Sequence, residues 1–156
     1  MAVIEKAIDV KAPVSRVYGQ WIQFREFPRF MQGVKEVRRL DGRRSRWRAE
    51  IAGREKMWEA QITQQIPDER ICWRSTFGAS NIGSVSFYPL EGDRTRIIVW
   101  MKYDPSGLAE IVGNLVGIVT IGVAGDLKRF KKFIESRYDE TGARLGMTGQ
   151  RSAEIK

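Results

Sequence analysis

The chain has 156 residues, a net charge of +8, one cysteine and no histidine, which is the size of one domain with a real core. A lone Cys72 excludes an internal disulfide, and the lack of histidine removes the commonest general base and a usual zinc ligand. The opening MAVIEKAIDV lacks a basic stretch followed by an apolar one. The uncharged run Ile111 to Gly125 is short and glycine-rich for a membrane span, so a cytoplasmic location is expected.

Ala2 to Val10 reads as a strand with Ile4, Ile8 and Val10 on one parity. Ala12-Pro13 ends it, and Pro13 with Ser15 can open a helix whose face carries Val14, Val17, Tyr18 and Trp21. Pro28 disfavours helix at Phe27. A break and a second short helix are therefore predicted, forming a V with its aromatics inside and ending at Gly33.

From Val34 the rhythm changes to period two. Val34 to Leu40 is less regular and points to a bulge. Arg44 to Ala52, Lys56 to Ile66, Arg70 to Phe77, Asn81 to Leu90 and Arg94 to Tyr103 alternate, separated by turns such as Asp41-Gly42, Gly53-Arg54, Pro67-Asp68 and Gly92-Asp93. One face collects Trp47, Ala49, Ile51, Trp58, Ala60, Ile62, Ile71, Trp73, Ser75, Phe77, Val85, Phe87, Ile97, Val99, Met101 and Tyr103. Tyr103 is its one ionisable group. Sequential strands with short turns imply an antiparallel meander with one dry face.

A long helical pattern follows, from about Leu108 to Tyr138. Its second half has a stripe of Val123, Leu127, Phe130 and Ile134, with Asp126 where an acid favours a helix start. Its first half carries Gly113, Gly117, Gly122 and Gly125. Each interior glycine costs about 1 kcal/mol relative to alanine, which predicts a kink near Gly122 to Gly125 and low bulk facing the sheet. Residues 1–139 form the domain, and the polar, aperiodic 140–156 read as a disordered tail.

The element order, Ala12-Pro13 with Val17, the Phe27-Pro28-Arg29-Phe30-Met31 motif, Arg70-Ile71-x-Trp73-Arg74-Ser75 and Leu127-x-x-Phe130-Lys131 resemble the polyketide cyclase/dehydrase family. That family includes the coenzyme Q-binding START-like proteins and belongs to the birch-pollen-allergen/START superfamily. The resemblance spans about Val3 to Glu135. It implies an α+β helix-grip fold: a curved antiparallel seven-stranded sheet wrapped around a long C-terminal helix, with two short helices after the first strand. It also implies an internal cavity for an apolar molecule. Activity is not implied, because fold alone does not give function.

The favoured reading is binding or transport of a hydrophobic small molecule such as a lipid, quinone, isoprenoid or polyketide-like compound. The alternative is a polyketide cyclase, aromatase or dehydratase acting in the same cavity. The candidate lining is Phe27, Phe30, Met31, Trp47, Trp58, Trp73, Phe87, Met101, Tyr103 and Gly117, with Asn114 and Thr120 as further polar groups in reach. Aromatics on alternating strand positions are most often plain core, so the glycines and the resemblance carry the cavity. No cofactor, catalytic residue or metal ligand is assigned. A basic hairpin (Arg38, Arg39, Arg43, Arg44, Arg46, Arg48) and a basic helix face (Lys128, Arg129, Lys131, Lys132) read first as solvated surface and second as a weak contact with anionic membranes. No nucleic-acid motif is present, and the oligomeric state is left open.

Overall fold

The computed structural model describes residues 2–51, 53–104 and 115–147, with side chains of the last segment described over 117–137. Seven strands form one curled antiparallel sheet in the order β1-β7-β6-β5-β4-β3-β2. They are β1 (Ala2–Val10), β2 (Val34–Arg39), β3 (Arg44–Ile51), β4 (Arg54–Ile66), β5 (Arg70–Gly78), β6 (Asn81–Leu90) and β7 (Arg94–Tyr103). Between β1 and β2 lie helix α1 (Val14–Trp21) and a 3-10 segment, Phe24–Arg29. Helix α2 (Leu115–Met147) follows β7.

The expected break at Pro28 is present as this 3-10 segment, where proline's missing N–H removes no regular helix bond. Pro13 precedes α1 with an extended ψ of 155°, and its carbonyl accepts from the Arg16 and Val17 amides. Val17, Tyr18 and Trp21 are the buried side of α1.

Three bulges coil the sheet, because each extra residue bends its strand and increases the local twist. One lies between Val34 and Glu36, in the segment whose irregular pattern suggested it. A second lies on β5 at Thr76: Ser75 faces Ala60, but Phe77 faces Glu59. That extra residue reverses parity, so Phe77 belongs to the convex side and is 67% exposed. This corrects its expected place on the inner face. The third lies at Thr63 on β4 and brings Gln65 opposite Ile71, so that its amide donates to the Tyr18 hydroxyl at 2.8 Å.

The core fills one end of the concave face. Leu127, Phe130 and Ile134 of α2 are buried against Val10, Val17, Trp21, Phe30, Phe87 and Ile97. The Phe130 ring lies 4.9 Å from Trp21 and 5.0 Å from Phe30, edge to face in both cases. Polar tethers fix the helix over this core. Lys131 Nζ donates to the Asp9 carbonyl (2.9 Å) and to Glu135 (2.7 Å), and Glu135 also accepts from the Lys11 amide (2.8 Å). Arg129 donates to the Phe30 carbonyl (2.9 Å), and Asp126 accepts from the Gln32 amide (3.2 Å) and pairs with Arg129. Burial holds the Asp126 carboxyl above its ordinary value against these bonds.

Helix α2 runs as one element through Gly117, Gly122, Gly125 and Asp126, so Asp126 is a mid-helix tether and not a helix start. The kink expected at Gly122–Gly125 does not divide it. The glycine cost is small per residue, and the tethers hold the following turns in place. The helix also continues past Tyr138 to Met147, so the end of the apolar stripe does not mark its end. The expected start at Leu108, together with Gly113, Asn114 and 148–156, lies outside the described residues.

Candidate functional site

The expected lining residues divide into two groups on the concave face. Phe27, Phe30 and Phe87 are closed inside the core. Phe27 alone makes ring contacts with Trp21 (5.7 Å), Phe24 (5.4 Å), Phe30 (5.4 Å) and Trp47 (5.4 Å). Met31, Trp47, Trp58, Trp73, Met101 and Gly117 are half-buried, and Tyr103 is 8% exposed. Thr120 is half-buried and has an interaction partner.

The strand registers put these residues in place. Trp47 and Trp58 face each other across β3 and β4 and stack at 5.8 Å with 10° between ring planes. Trp73 faces Ile62 on one side and Gly83 on the other, and Gly83 faces Met101, which faces Ile4. The Trp73 indole closes on Gly83: a Cβ there would stand 2.4 Å from the indole Cζ2 and 2.8 Å from the Trp100 carbonyl oxygen. Gly83 is thus the gap that lets the indole cross the neighbouring strand, a function that alternation alone does not reveal.

Polar atoms on this face mostly satisfy one another. Trp47 Nε1 donates to Ser45 Oγ at 2.8 Å, and Trp73 Nε1 donates to Asn81 Oδ1 at 2.9 Å. The Asn81 amide N–H donates to Ser75 Oγ (2.9 Å), and Asn81 Nδ2 donates to the Ala79 carbonyl (3.0 Å). The two bonded indoles therefore offer ring faces and not donors. Tyr103, the cross-strand neighbour of Asn81, differs: its hydroxyl is buried and has no hydrogen-bond partner among the described residues. Burial pushes its phenol above the ordinary value. Asn81 lies two residues from Gly83 and so shares its face by parity, but its bond to Trp73 depends on the pairing of β5 with β6. Cys72 points to the opposite face, with Sγ 3.5 Å from Gln64 Oε1.

A second, open feature is a groove of about 600 Å3 between the 3-10 segment and α2, lined by Arg29, Arg129, Lys132, Phe133, Ser136 and Arg137. Arg29 and Arg137 lie over the Phe133 ring at 5.6 and 4.9 Å, and both pair with Glu26. Among the described residues, no cluster of three or more Cys, Asp or Glu side chains is placed to hold a metal ion. No described helix is long and apolar enough to cross a membrane.

A curled seven-stranded antiparallel sheet gripping a long C-terminal helix defines a START-like helix-grip protein. The solved START superfamily protein from Mycobacterium smegmatis shares this fold with a TM-score of 0.66 at 19% identity, over 89% of this chain and 98% of that one. The ZhuI aromatase/cyclase from a Streptomyces species superposes with a TM-score of 0.74 at 17% identity, over 88% of this chain and 95% of that one. At these identities the likeness is one of fold. The chain is 41% identical over 147 residues to an uncharacterized 17.2 kDa protein of Streptomyces lincolnensis, covering 94% of this chain and 98% of that protein. Residues 10–132 match the family described as polyketide cyclase/dehydrase and lipid transport, and the chain belongs to that family.

Proposed function

We propose that the protein binds an apolar small molecule against the half of the concave face that the core leaves less closed, around Trp58, Trp73, Met101 and Tyr103. The observation that carries this reading is the state of the tryptophans. Trp47, Trp58 and Trp73 sit on the inner face of a curled sheet, the side such a sheet normally buries, yet are not fully closed. Apolar surface left open in this way is what a greasy ligand covers. Phe27, Phe30 and Phe87 then shape the end wall, and Gly117 limits bulk on the helix side.

Native mass spectrometry of protein purified from its own host, with extraction of bound material, tests the reading. A copurified apolar compound is expected. Bare protein that also fails to bind an apolar fluorescent probe would sink it.

The alternative is a cyclase or dehydratase acting on a polyketide in the same place, as the family description allows. It needs a proton donor or base there. Among the described residues of this face Tyr103 is the ionisable group expected to serve, and burial raises its pKa, which suits it to donate a proton or hydrogen bond and not to act as a base.

Weak contact with anionic membranes also belongs to this proposal. Exposed Ile118, Ile121, Lys128 and Lys132 share one face of α2, and neither lysine has an ion pair among the described residues. An apolar patch continued by these cations suits an acidic lipid surface.

A further inference from the structure

Tyr103 is more than 90% buried, and its hydroxyl has no partner among the described residues. Buried polar groups are nearly always paired, and an orphan asks for an explanation. The neighbours do not supply a partner. Asn81, directly opposite across β6 and β7, uses its side-chain oxygen on Trp73 and its side-chain nitrogen on the Ala79 carbonyl. Ala2, opposite on β1, has no side-chain acceptor. Lys102 lies on the other face of β7.

Resting on the binding reading above, we propose that Tyr103 is the specificity-determining residue of the site, and that the ligand is an apolar molecule carrying a neutral carbonyl oxygen that accepts its O–H. The surroundings select the chemistry. A hydroxyl donor requires an acceptor on the ligand. No cationic side chain among the described residues of this face stands beside Tyr103, so a carboxylate or phosphate would be buried without a counter-charge. Trp73, seated against Gly83 and fixed by Asn81, gives the rest of the molecule an aromatic wall. A pure hydrocarbon would leave the hydroxyl as it stands, whereas a carbonyl oxygen would gain its hydrogen bond, and the site prefers the carbonyl compound by that difference.

The test uses 2-acetylnaphthalene and 2-ethylnaphthalene, nearly the same shape with and without the carbonyl, titrated against tryptophan fluorescence in the full chain and in Tyr103→Phe. Wild type should prefer the acetyl compound by about tenfold, as one added hydrogen bond allows. Tyr103→Phe should bind both alike, keep the wild-type affinity for the ethyl compound, and melt at the same temperature or higher. A preference that survives in Tyr103→Phe, or that is absent from wild type, overturns the assignment while leaving the binding reading in place. A large fall in melting temperature also overturns it, since the hydroxyl would then have a structural partner. If wild type binds neither compound, the binding reading fails and takes this inference with it.

Discussion

Two glycines test the packing account in opposite directions. At Gly83 an added methyl has nowhere to go: the Trp73 ring lies on one side and the Trp100 carbonyl on the other. Gly83→Ala must push the indole off its floor and break its bond to Asn81. A loss of roughly 1–3 kcal/mol is expected, as for other overpacked cores, measured by urea unfolding with a red shift in tryptophan emission. At Gly122, exposed and mid-helix, a Cβ meets nothing within 4 Å. Gly122→Ala should therefore stabilise by up to about 1 kcal/mol. A stabilised Gly83→Ala would show that Trp73 does not lie where described.

The same scale holds a titration. Asp41, in the β2–β3 turn, accepts from the Arg43 amide (2.9 Å), the Arg44 amide (2.8 Å) and Arg44 Nε (2.7 Å). These bonds, the Arg43 amide foremost, bring its pKa down to about 2. A depressed carboxyl pKa adds stability above the unfolded value, about 3.9, and that stability is lost as pH falls through about 2. Carbon-detected NMR should find the Asp41 carboxyl still ionised at pH 3. A midpoint near the ordinary carboxylate value would remove the turn bonds from the account.

At the scale of the element, α2 has two characters. From Val123 onward its stripe is clamped by rings and tethers. Before that it carries Gly117 half-buried and two isoleucines in the open. If Gly117 keeps space free over the sheet, Gly117→Leu should hold or raise the melting temperature, because a helix-interior glycine is lost and nothing is overpacked. It should also weaken binding of an apolar fluorescent probe. A clear fall in melting temperature would mean that Gly117 serves close packing, and the space beneath it would not exist.

For the whole molecule the question is what a net charge of +8 does. The β2–β3 hairpin, the densest basic stretch of the sequence, is largely neutralised: Arg44 pairs with Asp41, Arg46 with Glu59, Arg48 with Glu36 and Glu55, and Arg38 with Glu36. Arg39 lies over Phe24. Among the described residues, Lys128 and Lys132 of α2 have no ion pair. Exposed charges are screened over about 8 Å at physiological ionic strength. Sedimentation should thus recover the protein with anionic vesicles and not neutral ones, and high salt should release it. Lys128→Gln with Lys132→Gln should weaken this more than the same change at Arg46 and Arg48. Equal recovery with both vesicle types would leave the surplus charge a matter of solubility.

The sequence by itself determined the order of elements, the dry face of six strands, the Pro28 break, the bulge after Val34 and the stripe of α2. Each is set by local rules: side-chain alternation, proline chemistry and helical spacing act within a few residues. The tertiary structure decided what depends on a neighbour. Alternation on β5 cannot show that Thr76 is an extra residue, since a bulge exists only against the partner strand, and Phe77 turns outward for that reason. Glycines predicted a kink in α2 with a second helical run after it, but the helix is one element through Gly125, tethered beyond that point to Phe30 and Gln32. Alternation placed Phe87 and Trp73 on the same face, yet only packing separates the closed core ring from the half-open indole. Likewise, that Tyr103 points inward could be read from its parity, but that its hydroxyl has no partner among the described residues, with Asn81 opposite bound to Trp73, is visible only in the structure.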